Sequence, residues 1–513
     1  MAWLHTWSGL VCGWLLCAIF LTGSLSVFRD PITRWMEAEP LATAATSAAV
    51  GERSLSEAER YFHQHAAGAR FWRVQLPQRP GEPLQLAWRD GATLRQAFLA
   101  ADSGALLPGP QRRQTEGGRH FMSFHYMLQL PVLGFWLVGW LTLGLLVALV
   151  SGVVIHRRIF LDFFTFRPGV GPRAWLDAHN VTAVMTLPFL LMIAYTGLAI
   201  FPSSYLPWPM QAVYGFSDQA ASRFQDELGE RQAPDRVPLP NTPNEPPSWA
   251  MQLHRAQALT GQTAHLLLIE RPATPAMKLR VLGRVAVSPA SQTLFTPQAS
   301  VLFDGFTGSV LQVQHGQPDT LSIGDQVQGV IKSLHFADFG GWAMKWVYFI
   351  CGLLGLLMMA SGTLLFAMKR RIKSQREFAT ATAAFYRGVE ACNVACIAGI
   401  GVACGAYFYA NRLLPLALAE RAQWEIRCFL LVWLATLAHA LLRAPAKAWT
   451  EQLGLAAALC LGLPLLNRWT TGQDIGRYLQ AGDWQRASVE GVALAFGLLL
   501  MAVLVKRRQA GVR

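Results

Sequence analysis

Four histidines stand at duplicated offsets from four glycines, and the imidazole nitrogen is a ready transition-metal ligand. His5 precedes Thr22-Gly23 and His179 precedes Thr196-Gly197, with 18 residues from His to Gly in both. His125 precedes Ser151-Gly152 and His335 precedes Ser361-Gly362, with 27 residues in both. Eighteen residues make five helical turns at 3.6 residues each, so each of the first two glycines shares a helix face with its histidine and lets that face approach a neighbour closely. A bundle whose facing helices offer imidazoles at one depth is a site for bis-histidine haem. His5 and His179 fall at one level and His125 and His335 at the other, so haem at both levels would form an electron path across a membrane. A single histidine at a helix end is equally expected as an interfacial side chain; the duplication is what favours a ligand role. His156 breaks the repeat, since Phe366 stands at the same offset in the second copy, and it is read either as an interfacial side chain or as a reserve ligand replacing His5 or His179. His439 has no counterpart and reads as packing or a secondary site.

The elements that must position these groups are apolar. The chain has 513 residues, 52% hydrophobic and 15% charged, with mean hydropathy +0.28, whereas soluble proteins carry about 25% charged residues. Eight stretches reach the roughly 20 apolar residues that a membrane helix needs: about 7–28, 132–156, 181–201, 344–368, 387–409, 424–443, 451–467 and 487–505. The first lacks a basic leader and a small-residue cleavage site, and is expected to be retained. The formal charge of +13 resides in clusters beside apolar runs, which argues against nucleic acid. Arg157, Arg158, Arg167 and Arg173, then Lys369, Arg370, Arg371 and Lys373, then Lys506, Arg507 and Arg508 mark cytoplasmic helix ends. Both termini are therefore expected in the cytoplasm, with 29–124 and 202–334 outside.

Those two long segments suit small folded domains, because Val74–Leu76, Leu84–Trp88, Ala264–Leu268 and Lys278–Leu282 read as short strands. Each ends in a similar run, Ala101–Leu106 and Phe303–Leu311, so the repeated unit is helix, outer segment, helix. All eight cysteines lie in or beside apolar segments, which leaves no disulfide framework. Cys392 and Cys396 share a helix face and read as small-residue packing before a redox pair. Arg255, Arg271, Arg280 and Arg284 are either a solvated surface or an attractor for an anionic chelate. No Gly-rich dinucleotide fingerprint appears, so electrons are expected from a membrane quinol or a separate cytoplasmic donor.

The motif set resembles the PepSY-associated transmembrane family of bacterial inner-membrane proteins, several of which are ferric-siderophore reductases. The resemblance rests on Leu4–Leu10 with Thr22-Gly23, His125-Tyr126, Ser151–Arg158 with Phe164–Arg167, His179–Val181, Leu187–Phe189 with Thr196-Gly197, and Leu334–Phe336 with Phe339–Gly341. It covers about residues 1–375. It implies a mainly α integral membrane protein with two small α+β PepSY-like extracytoplasmic domains, at 29–124 and 202–334, inserted between helices 1 and 2 and helices 3 and 4. The remaining expected divisions are helices at 1–28, 125–158, 179–201 and 335–373, a cytoplasmic loop at 159–178, and a membrane extension at 374–513 that departs from the usual four-helix core. It further implies b-type haem, here about two, at His5, His125, His156, His179 and His335, a ferric siderophore or other ferric chelate as substrate, and periplasmic iron-uptake proteins as partners. The rival expectations are a non-enzymatic PepSY scaffold or regulator, and a siderophore or metal transporter.

Overall fold

In hydrocarbon every backbone polar group must be satisfied within its own segment, which forces apolar stretches into helices. Among the residues it describes, the computed structural model has eight helices long and apolar enough to cross a membrane, matching the eight stretches above. It describes residues 1–38, 50–78, 82–90, 93–108, 113–156, 171–205, 208–217, 223, 247–272, 274, 276–284, 294–317, 321–378 and 383–511. Arg157, Arg158 and the run Phe164–Arg167, with most of the loop 159–178, lie outside the described residues.

Along the chain, α1 (Ala2–Ser26) is followed by α2 (Arg29–Glu37), α3 (Glu52–His65), β1 (Phe71–Gln75), β2 (Leu84–Asp90), β3 (Thr93–Leu99), β4 (Leu106–Leu107), α4 (Arg119–Met127) and α5 (Leu133–Ile155). A second unit repeats the order with α6 (Pro172–Ala199), α7 (Trp249–Thr260), β5 (Ala264–Glu270), β6 (Lys278–Gly283), β7 (Ser300–Asp304), β8 (Val310–Gln314), α8 (Ile323–Phe336) and α9 (Gly341–Phe378). The extension comprises α10 (Ala383–Val394), a π-helical turn (Ala395–Gly399), α11 (Ile400–Leu413), α12 (Arg421–Leu442), α13 (Pro445–Thr471), α14 (Ile475–Gln480) and α15 (Trp484–Gly511).

The strands of the two segments form one antiparallel sheet rather than two separate ones, in the order β4-β3-β2-β1-β5-β6-β7-β8. The join is β1 to β5, with Trp72 opposite Ile269 and Val74 opposite Leu267. Pairing these strands removes two open edges and continues one apolar face, on which Trp72, Trp88, Leu267 and Val281 pack with Phe62 of α3 and Trp249 of α7. The order is symmetric about the join, so the internal repeat is a pseudo-twofold axis in the sheet. The two similar runs are its hairpin turns: Gly104 and Gly308 take φ of +71° and +63°, and the Asp304 carboxylate accepts from the N–H groups of Phe306 and Thr307.

His125 and His335, expected at the starts of spans, instead end the separate helices α4 and α8. Each helix stops in a left-handed residue, Leu128 at φ 50° and Ala337 at φ 53°. The chain then re-enters the bundle through α5 and α9. In the extension, the Trp433 indole donates to the Ala395 carbonyl at 3.0 Å, and the Thr436 side chain occupies the place where a Cβ on Gly399 would fall. Cys392 and Cys396 are both partly buried free thiols.

Candidate functional site

The histidines meet across the repeat, not within it. The His5 and His179 rings have centroids 6.4 Å apart, and the His125 and His335 rings 6.2 Å apart. Each ring is held by the other long helix of its own unit. His5 Nδ1 donates to the Ala148 carbonyl at 2.9 Å, His179 Nδ1 to Met358 at 2.9 Å, and His125 Nδ1 to Ile19 at 2.9 Å. His335 Nδ1 lies 3.0 Å from Thr196 Oγ1, whose own proton goes to the Met192 carbonyl. Carbonyl oxygens only accept, so Nδ1 carries the proton in each of these rings, and Nε2 is the nitrogen whose lone pair is available to a metal.

The repeated glycines explain how the rings get there. A Cβ at Gly23 would stand 2.6 Å from His125 Nδ1, at Gly197 3.0 Å from His335 Cε1, at Gly152 3.1 Å from His5 Cε1 and at Gly362 3.2 Å from His179 Cε1. Sequence reasoning read close approach from the glycine faces, but did not see that each glycine receives the neighbouring helix's imidazole. The preceding hydroxyl joins in: Ser361 Oγ is 3.2 Å from His179 Nδ1, and Ser151 Oγ is 3.4 Å from His5 Nδ1.

Two imidazoles bound to opposite sides of one iron, at about 2 Å from nitrogen to metal, have ring centres roughly 6 Å apart. Both pairs fit that spacing. The His125–His335 pair faces a cavity of about 330 Å³ whose lining also includes Phe20, Tyr126, Arg29 and Lys345. The same lining carries Asp30 and Asp338, with Arg29 3.7 Å from Asp30, so the polar rim of this cavity holds two cations and two carboxylates of the chain itself. His156 is exposed and caps the C-terminus of α5. His439 pairs with Glu451 at 2.7 Å, in a cluster with Arg443.

The two histidine pairs, the four glycines that receive them and the sheet all fall within residues 2–369, which match the PepSY-associated TM region. The chain belongs to that family. The PepSY-associated match ends at the close of the fourth span, so α10 to α15 lie beyond it. No curated protein matches the chain.

Beyond the family core, sequence reading missed a buried polar network that fastens the extension to the first segment. Arg421 and Glu425 form an ion pair with both side chains fully buried. Arg412 donates to the Trp35 carbonyl at 2.6 Å and stacks on the Trp35 ring. Glu490 accepts from the Trp35 indole at 3.0 Å and from Asn467 at 2.7 Å. The available signal was a glutamate four residues inside the eighth apolar stretch, since a charge there requires partners.

His120 was also missed. Fully buried on α4, it packs against Tyr407 with the rings tilted at 34° and lies edge-on to Phe429. Gln129 donates to its Nδ1 at 2.8 Å, and Nε2 has no hydrogen-bond partner among the described residues. Burial lowers its pKa from the ordinary value to about 3. Between that value and about 6.5 the unfolded chain binds a proton that the fold refuses, so stability falls as pH drops through this window. His120→Phe is therefore expected to flatten the acid side of a melting-temperature profile; an unchanged profile would remove His120 from that role.

Proposed function

We propose that this protein is a b-type haem oxidoreductase of a bacterial inner membrane, which passes electrons across the bilayer to reduce a ferric siderophore or another ferric chelate on the sheet side. The observation that carries this reading is the two facing imidazole pairs, each at iron-bridging separation. Bound haem supplies a one-electron Fe(III)/Fe(II) couple, and reduction releases iron because Fe(II) binds hard oxygen chelators far less tightly than Fe(III).

The chain's residues supply the rest. His5 and His179 would hold one iron and His125 and His335 the other, while the carbonyls on Nδ1 of His5, His179 and His125, and the Thr196 hydroxyl on that of His335, fix the tautomer and make the ligands more basic. Arg29 and Lys345, which line the sheet-side cavity beside Asp30 and Asp338, would be the cations available to the carboxylates of a bound haem. His5 and Ile19, whose carbonyl holds His125, are fourteen helix positions apart, a rise of roughly 21 Å at 1.5 Å per residue. Arg173, Lys506 and Arg507 stand at the bundle end away from the sheet, and by the positive-inside rule this supports the reading in which both termini are cytoplasmic. The donor is a membrane quinol or a cytoplasmic reductant.

The direct test is to mix the reduced, purified protein with a ferric siderophore and a coloured Fe(II) trap. Reoxidation of the haem with matching Fe(II) capture is expected, whereas haem that stays reduced would contradict the assignment. At the cytoplasmic end, His5→Ala and His179→Ala are each expected to lose one haem and His156→Ala to keep both. A haem count with severe loss at His156 and mild loss at His5 would reassign the ligand. The glycine cradles give a graded series. Gly23→Ala, whose Cβ would sit 2.6 Å from His125, should lose more sheet-side haem than Gly362→Ala, at 3.2 Å from His179, loses at the other site. Equal retention in both variants would show that the rings are not held by these contacts.

A further inference from the structure

A second cavity, of about 250 Å³, lies between the four-helix core and the extension. Leu21 and Leu25 of α1 and Phe349 and Leu356 of α9 wall one side, while Gly401, Val492 and their neighbours wall the other. On the opposite faces of the same two helices, Gly23 and Ser24 of α1 and Tyr348 and Gly352 of α9 line the cavity of His125 and His335. The two cavities are therefore back to back at one depth, separated by about one helix diameter, roughly 10 Å.

We infer that this second cavity binds the membrane quinol that donates the electrons, an inference resting on the oxidoreductase reading. Its lining is almost wholly aliphatic and aromatic, which admits a lipid-soluble donor and disfavours a nucleotide. Small residues make the space: a Cβ on Gly401 would meet only the Ala456 methyl, at 3.9 Å. The π-helical turn contributes Ile397 and Ala398 to the wall, and such turns recur at functional sites. One hydroxyl is in place for the quinol ring: Ser488 lines the cavity and gives its own proton to the Gln485 carbonyl at 2.8 Å, leaving its oxygen to accept a quinol O–H. Each quinol oxidised to quinone yields two electrons, which reduce two ferric haem irons to ferrous, and two protons, which its hydroxyls release to water. The extension beyond the family core thereby acquires a task, that of completing the donor site.

The probe is decylubiquinone, with decylubiquinol for turnover, on the full-length, haem-replete protein. Wild type is expected to bind the quinone with quenching of tryptophan fluorescence, since Trp346 lines the cavity. Gly401→Phe, which fills the space, should weaken binding about tenfold or more, equivalent to at least 1.4 kcal/mol, and slow quinol-driven haem reduction in step. Dithionite should still reduce all the haem. Ala493→Leu fills the cavity from α15 and should act in the same direction. Gly388→Phe, on α10 outside the cavity, should behave as wild type. Unchanged binding in both filled variants, or no binding by wild type, would overturn the inference. A chain that binds quinone without carrying haem would sink the oxidoreductase reading and the donor role, while the site would stand.

Discussion

Alanine at His125 or at His335 is expected to remove one of two haems and to slow reduction of an external ferric chelate by about a hundredfold or more, since even outer-shell partners of metal ligands are worth 10–100-fold. The two substitutions should have similar effects, because the pseudo-twofold places the imidazoles symmetrically, with centroids 6.2 Å apart. The other haem should remain, since His5 and His179 are held by different carbonyls, those of Ala148 and Met358. Haem content and chelate reduction read the outcome together. Full haem and full activity in both variants would reduce these histidines to interfacial side chains.

Glu425→Ala is expected to be the most damaging single change in the extension, at about 3–5 kcal/mol, because it leaves a buried guanidinium without its counter-charge. Arg421 is fully buried, with its remaining bonds going to the carbonyls of Gln114 and Asn411. Glu425 also accepts from Asn411 at 2.8 Å and from Thr115 at 2.5 Å, so the same change loosens the first segment from α12. The melting temperature of the detergent-purified protein should fall sharply. The double variant Arg421→Met with Glu425→Leu should recover most of the loss, since an apolar pair carries no desolvation penalty. An undisturbed Glu425→Ala would mean that water reaches this pair.

The spans were legible because hydrocarbon leaves one local solution for an apolar stretch, and hydropathy reports it directly. The duplicated His-to-Gly offsets were legible too, and the structure brings both pairs together. Which glycine serves which histidine was not, because five turns place a glycine on a face without naming what approaches it. The helix breaks after His125 and His335 were hidden for a local reason: Leu128, Gln129 and Ala337 adopt positive φ, and none of them is a residue that announces it. Among the strands, the residues at β1, β2 and β6 alternate and β5 carries a continuous apolar run, which makes them readable, whereas β4 has two residues and β3 mixes Arg95 and Gln96 into its run. The fusion into one sheet depends on β1 meeting β5 across α5 and α6, a pairing remote in sequence that strand patterns do not encode. The polar network was visible only as isolated charges; that Arg412 would find Trp35 is a tertiary fact.

The most direct measurement is the haem content of the purified full-length protein, taken as a pyridine haemochrome against protein concentration, with the optical spectrum of the same sample. The two imidazole pairs require about two b-type haems per chain with a low-spin, bis-histidine spectrum. A stoichiometry near zero after expression with ample haem would contradict the account at its centre.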